Sequence, residues 1–142
     1  MNPAPHVCNY AVLRYLPYPE TGEFVNVGVV VHCPELGWFG HASYENDMQR
    51  VLRFFPAVDR ATYQAGRKAI IEELERVRAL IHGTTDRRQA RGIFDELVRT
   101  RESVFRFGEM RSAMADDPEA FVQQLCEQYV KPRRVSAASM AA

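Results

Sequence analysis

The first third of the chain alternates between apolar and polar positions with the two-residue period of a β-strand. This pattern predicts strands over residues 8–18, 24–33 and 38–44, which are rich in aromatic and β-branched side chains. Two short segments that contain proline and glycine, PYPETG and PELG, lie between the strands and predict turns. Because these connections are short, we expect the strands to form an antiparallel meander.

From about residue 46 the apolar positions recur with the period of an α-helix. A first helix is predicted over residues 46–56, and a long second helix extends from an Asp59 cap to about His82. Gly83 follows as a stop signal, and Thr85 is placed to cap a third helix. We therefore expect consecutive helices after the meander.

The last part of the chain returns to alternation and then to a helical pattern. Residues 103–110, SVFRFGEM, predict a fourth strand, and Asp117 followed by Pro118 predicts the start of a final helix. The predicted order is βββαααβα, an α+β fold in which helices pack on an antiparallel sheet made of the three-strand meander and the later strand. We expect a single domain over residues 1–131 and a disordered tail of basic and small residues over 132–142.

The second predicted strand contains two residues that are rare in strands, Asn26 and Gly28, within the segment GEFVNVGVVV. Strict alternation divides this segment into a valine face and a mixed face. The valine face consists of Glu23, Val25, Val27, Val29 and Val31, and the mixed face of Phe24, Asn26, Gly28, Val30 and His32. We expect the valine face to be core. We interpret Asn26 and Gly28 as a β-bulge or register pin rather than as the centre of a chemical site.

The charge balance argues against a dedicated nucleic-acid-binding domain, because the 142 residues carry 18 basic and 18 acidic side chains. Cys8, Cys33 and Cys126 include no CxxC pair, so we expect reduced, buried thiols rather than a zinc ribbon or a disulfide framework. The N-terminal segment lacks a signal-peptide pattern, and no apolar stretch approaches membrane-spanning length. We expect a cytoplasmic protein without membrane contact.

No sequence motif indicates catalysis or a cofactor. The glycine motifs that bind phosphate or dinucleotides are missing, and His32 and His41 have no triad or metal-ligand spacing. The pair Asp116 and Asp117 is better explained as a helix cap than as metal ligands. We therefore expect no catalytic residue, no cofactor and no metal site.

The candidates for binding are mostly arginines. Arg14 and Glu23 flank the PYPETG turn, where we expect an ion pair between them. Arg50 and Arg53 alternate with phenylalanines in RVLRFFP, and Arg106 lies between two phenylalanines, a mixture that stacks on bases or anchors protein interfaces. The alternative is that the phenylalanines are core and the arginine stems cover the surface. The complete set of candidate binding residues is Arg14, Glu23, Asn26, Arg50, Arg53 and Arg106.

Three segments resemble a bacterial family catalogued as domain of unknown function 3037. They are YAVLRYLPYPETGEFVNVGVVV, RVLRFFP and SVFRFGEMRSAMADDPEAFVQQLCEQYV, and the resemblance covers about residues 8–131. Its most specific part is G-E-x-V-N-V-G over residues 22–28, although the family often has an arginine where this chain has Thr21. The resemblance implies no activity. It does imply a protein partner, since family members are often encoded beside a HipA-like serine/threonine kinase.

These observations leave three hypotheses of function. The first is a non-catalytic binding or regulatory module that works with a protein partner such as a HipA-like kinase. The second is a small enzyme for nucleotides or nucleic acid, in which Arg14, Glu23, Asn26 and His32 converge in a cleft. The third, which the zero net charge does not favour, is a nucleic-acid-binding accessory protein that uses its arginine and phenylalanine stripes.

Overall fold

A computed structural model describes residues 5–44, 47–99 and 104–131. An antiparallel sheet and the helices that pack on it confirm the predicted α+β fold. The strands are β1 (His6–Tyr15), β2 (Val25–Cys33), β3 (Trp38–Ser43), β4 (Phe105–Phe107) and β5 (Arg111–Ala115). The helices are α1 (Asp47–Phe54), α2 (Arg60–His82), α3 (Arg87–Arg99) and α4 (Pro118–Tyr129).

The predicted meander is confirmed, because β2 pairs with β1 on one side and with β3 on the other, both antiparallel. The turns after β1 and β2 each form one 3₁₀ turn, Pro19–Thr21 and Pro34–Leu36. Each ends at a glycine with positive φ, 74° at Gly22 and 59° at Gly37, a conformation that a residue with a Cβ rarely adopts.

The later strand is longer than predicted and is interrupted. Both β4 and β5 pair with β1, with Phe107 opposite Leu13 and Arg111 opposite Tyr10. Residues 11 and 12 of β1 therefore lie opposite residues 108–110, which form a bulge between the two segments. The prediction that the strand ends at residue 110 is wrong, and β5 is an element that sequence reasoning missed.

The interpretation of the Asn26 segment as a bulge is confirmed. Leu13 lies opposite Gly28 and Arg14 opposite Asn26, so Val27 is the extra residue. The bulge breaks the alternation along β2. Val25, Val27 and Val30 belong to one core, while Val29 and Val31 belong to another. The prediction of a single valine face is therefore wrong, because strict alternation does not continue through a bulge.

The two cores lie on opposite faces of the sheet. The main core joins the sheet to α1, α2 and α3, and the second core joins it to α4. Large fully buried members of the main core are Phe39, Tyr63, Ile81 and Phe94. Fully or almost fully buried members of the second core are Cys8, Val29, Val31, Cys33, Cys126 and Val130.

Two of the three helix caps predicted from the sequence are confirmed. Asp59 accepts from the backbone N–H of Thr62 at the start of α2, and Asp117 caps α4 through the N–H groups of Glu119 and Ala120. The prediction of Thr85 as the cap of α3 is wrong. The next residue, Asp86, accepts from the N–H groups at positions 88 and 89.

The expectation of reduced cysteines is wrong for one pair. Cys8 and Cys33 lie opposite each other in β1 and β2 and form a disulfide with a Cα–Cα distance of 4.3 Å, while Cys126 is free and buried.

The predicted tail over 132–142 lies outside the described residues, as does the first residue of the strand predicted over 103–110. In the described segments no helix is long and apolar enough to cross a membrane.

Candidate functional site

Three of the six candidate binding residues form a row across the sheet. Arg14 lies opposite Asn26 on one side and opposite Arg106 on the other. The chain neighbours of Arg14 and of Arg106 point into the main core, so these two side chains occupy the face that carries α4. Asn26 points the same way, since it contacts the end of α4.

Asn26 and Arg50 hold the C-terminus of α4 against the bulge. The Asn26 side-chain amide donates to the carbonyl oxygen of Tyr129 at 3.2 Å. Arg50 Nη1 donates to the carbonyl oxygen of Asn26 at 2.8 Å and also to the carbonyl oxygen of Val130. Carbonyl groups at a helix C-terminus lack partners in the helix and attract positive charge. Both candidates therefore have a structural role.

Arg14 is held between an aromatic ring and a glycine. Its guanidinium lies over the ring of Phe24, 4.2 Å from the centroid. On Gly108, a Cβ would lie only 2.8 Å from Arg14 Cζ, so a residue with a side chain would displace the guanidinium. The ion pair predicted between Arg14 and Glu23 does not form: the guanidinium lies over Phe24, and Glu23 is exposed at the end of its turn.

A cavity of about 360 Å³ opens beside Arg14 on the α4 face, and we call it the arginine cavity. It is lined by Arg14, Leu16, Arg106, Phe107, Gly108 and Glu109. The cavity brings together two of the predicted binding residues from strands that are far apart in the sequence. Their proximity follows from the register of β1 and β4, which the sequence pattern does not specify.

Arg53 is exposed on α1, and of the two phenylalanines that follow it one is exposed and one is buried. Phe54 is 55% exposed and lies near Arg50, with 5.9 Å between the Arg50 Cζ and the ring centroid. Phe55, in contrast, is buried in the main core, as are Phe105 and Phe107 on either side of Arg106. The interpretation of these phenylalanines as core residues holds for all but Phe54.

His32 does not approach Asn26. It is fully buried on the opposite face of the sheet, where its ring lies 5.2 Å from that of Phe94. Burial lowers the pKa of His32, and neither ring nitrogen has a hydrogen-bond partner within the described parts of the chain. The cleft of Arg14, Glu23, Asn26 and His32 expected for an enzyme is therefore not formed.

A buried polar network was missed by sequence reasoning. Asp47 is 4% exposed, and its Oδ2 accepts from the Tyr63 hydroxyl at 2.6 Å and from Arg67 Nε at 2.9 Å. Arg67 also donates to the hydroxyl of Ser43 at 3.0 Å. The one sequence signal is the spacing of Tyr63 and Arg67, which puts both on the same side of α2. Burial and the hydrogen bond to Asp47 raise the pKa of Tyr63 strongly.

A larger depression lies on the other face of the sheet, between α2 and α3 and above β4. We call it the helix groove; its volume is about 440 Å³. It is lined by Ile70, Glu73, Arg76, Val77, Leu80, Ile93, Glu96, Leu97, Phe105 and Phe107. Arg76 Nε donates to Glu73 at 2.9 Å, and Leu80 is 44% exposed. The groove thus combines an apolar floor with a charged rim.

The fold and these surfaces define a small α+β protein with a bulged antiparallel sheet, and with helices and an open depression on each of its faces. A family profile described as "Protein of unknown function (DUF3037)" matches residues 10–130. The chain belongs to this family, which confirms the resemblance seen in the sequence. No curated protein and no solved structure matches the chain.

Proposed function

We propose that the protein is a non-catalytic, regulatory binding module, and that its partner is a HipA-like serine/threonine kinase in the cytoplasm. The kinase is suggested by the family resemblance. The single observation that supports a binding role is the helix groove, whose volume of about 440 Å³ is within the range of roughly 300–1,000 Å³ common for binding pockets.

The lining of the helix groove indicates what would bind there. Its apolar floor suits apolar anchor side chains, which supply most of the binding free energy at protein interfaces. The rim carries Glu73 and Glu96 against one arginine, Arg76, so it has an excess of negative charge. An amphipathic segment of the partner, with apolar anchors flanked by basic residues, matches both properties.

The test is the binding of the purified chain to a purified HipA-like kinase encoded beside its gene, measured by calorimetry. Leu80→Glu places a charge at the edge of the helix groove without disturbing the core, because Leu80 is 44% exposed. We expect this variant to weaken binding by about tenfold or more, the usual effect of losing an interface anchor.

Leu36→Glu is the matched control, since Leu36 is 45% exposed and does not line the helix groove. It should bind the kinase with unchanged affinity. Equal binding of the wild type and Leu80→Glu would contradict the groove as the contact surface. A kinase that does not bind the wild-type chain would contradict the choice of partner.

A further inference from the structure

Arg14 presents a guanidinium that is fixed in position and whose Nε has no acceptor among the described residues. The ring of Phe24 covers one side, and the close approach of Gly108 restricts its movement. Arg14 Nε is buried, and no group in residues 5–44, 47–99 or 104–131 accepts a hydrogen bond from it. A charged side chain held in this way is already arranged for a ligand.

The chemistry of the guanidinium indicates an oxyanion as that ligand. Its N–H donors form a planar fork that matches the two oxygens of a carboxylate or of a phosphate. Because Arg14 faces the arginine cavity, the ligand has room to reach it from solvent.

The charge of the arginine cavity favours a carboxylate over a phosphate. Its lining has two arginines, Arg14 and Arg106, and one glutamate, Glu109. The formal charge of the lining is therefore that of a single cation, which matches a group with one negative charge, whereas a phosphate group carries more at neutral pH. Leu16 provides an apolar wall that suits the stem of a side chain.

We propose that Arg14 binds the carboxylate of an acidic residue in a protein partner, with an apolar residue beside it in the partner chain. The inference rests on the proposed function in that it takes the ligand from a protein. It concerns a different surface from the helix groove, because Arg14 lies on the face of the sheet that carries α4.

The experiment is an NMR titration of the full-length, ¹⁵N-labelled chain at constant ionic strength. The probes are N-acetyl-Leu-Glu-amide, the matched N-acetyl-Leu-Gln-amide, sodium acetate and inorganic phosphate. We expect the Glu peptide to shift the Arg14 Nε–H and the Gly108 amide resonances until saturation. Acetate should act at the same resonances with lower affinity, because it lacks the apolar neighbour. The Gln peptide should have no effect.

Variants distinguish the contribution of the planar guanidinium of Arg14 to binding from the contribution of its positive charge. Arg14→Lys keeps the charge but loses the planar fork, and we expect it to weaken binding of the Glu peptide by about tenfold, as for the loss of a charge-assisted hydrogen bond. The Gly108 amide reports binding in this variant. Arg87→Lys, at an exposed arginine of α3, is the control and should bind like the wild type. Gly108→Ala should displace the guanidinium and weaken binding even when the dispersed spectrum shows an intact fold.

Three results would overturn the inference: no saturable shift with the Glu peptide, equal responses to the Glu and Gln peptides, or tighter binding of phosphate than of the Glu peptide. None of the peptide titrations involves the kinase. A chain that binds the kinase through the helix groove but not the Glu peptide would therefore refute this inference and leave the proposed function intact.

Discussion

Two buried polar side chains of this protein are in opposite situations. Asp47 accepts hydrogen bonds from Tyr63 and Arg67, whereas His32 has no hydrogen-bond partner in the described residues. A buried polar group that is satisfied helps to specify a fold, and one that is not satisfied reduces stability. Substitution of these two residues should therefore have different consequences.

Asp47→Ala should destabilise the protein strongly, because it leaves the Tyr63 hydroxyl and the Arg67 guanidinium without their acceptor. We expect the free energy of unfolding in urea to fall by about 2–4 kcal/mol. Glu72→Ala is the control, at an exposed glutamate of α2, and should change it by less than about 0.5 kcal/mol. An Asp47→Ala variant as stable as this control would show that the network contributes little.

His32 should make the fold sensitive to acid. Burial lowers its pKa below the ordinary 6.5; Asp95 opposes this shift and Arg91 adds to it. As the pH falls below that ordinary value, the unfolded chain binds the proton before the folded chain does, so stability declines towards the folded pKa. Urea unfolding between about pH 7 and about pH 5 measures the decline. His32→Leu should reduce it, and an unchanged pH dependence would exclude His32 as the cause.

Among the elements, α4 is stabilised by side-chain hydrogen bonds at both ends. Asp117 caps its start, while its last carbonyl groups receive hydrogen bonds from Asn26 and Arg50. These contacts link the helix to the bulge in β2 and to α1. The Asn26 segment, the most specific part of the family resemblance, is therefore explained by the attachment of a helix to the sheet.

Arg50→Ala should loosen the end of α4, because it removes two hydrogen bonds and a positive charge near the helix C-terminus. We expect a loss of about 1–2 kcal/mol in the free energy of unfolding. Arg53→Ala, at an exposed arginine in the same helix, controls for helix propensity and net charge. If both variants unfold at the same urea concentration, Arg50 does not stabilise the end of α4.

For the whole molecule, the features predicted from sequence are those with local signals. Asp59 and Asp117 cap helices because their side chains reach N–H groups two or three residues ahead, and such spacing is visible in a sequence. The meander follows in the same way from three alternating segments and two short turns. These signals were sufficient to predict the α+β class and the order of most elements.

The features that were missed depend on contacts between distant segments. The strand β5 begins after a bulge at residues 108–110, which hides the continuation of the alternating pattern. The buried role of Asp47 depends on Tyr63 and Arg67 in another helix. The sequence identified Asn26 and Gly28 as a bulge, but the change of face along β2 could be seen only once the pairing with β1 was known.

The dependence on contacts between distant segments also limits prediction of the candidate site. Arg14 and Arg106 were both proposed for binding, yet only the strand register shows that they share a cavity. The helix groove had no signal at all, since its apolar lining reads as ordinary core and its rim as a solvated helix face. A site formed between packed elements is a property of the tertiary structure.

Methyl NMR of the chain with and without the proposed HipA-like kinase shows whether the kinase binds in the helix groove. We predict that the methyl resonances of Ile70, Leu80 and Ile93, which line the helix groove, shift or broaden when the kinase is added. The methyl resonances of Leu36 and Leu125, which lie elsewhere, should not change. A perturbation of Leu36 or Leu125 with unchanged groove resonances would show that the kinase binds outside the helix groove.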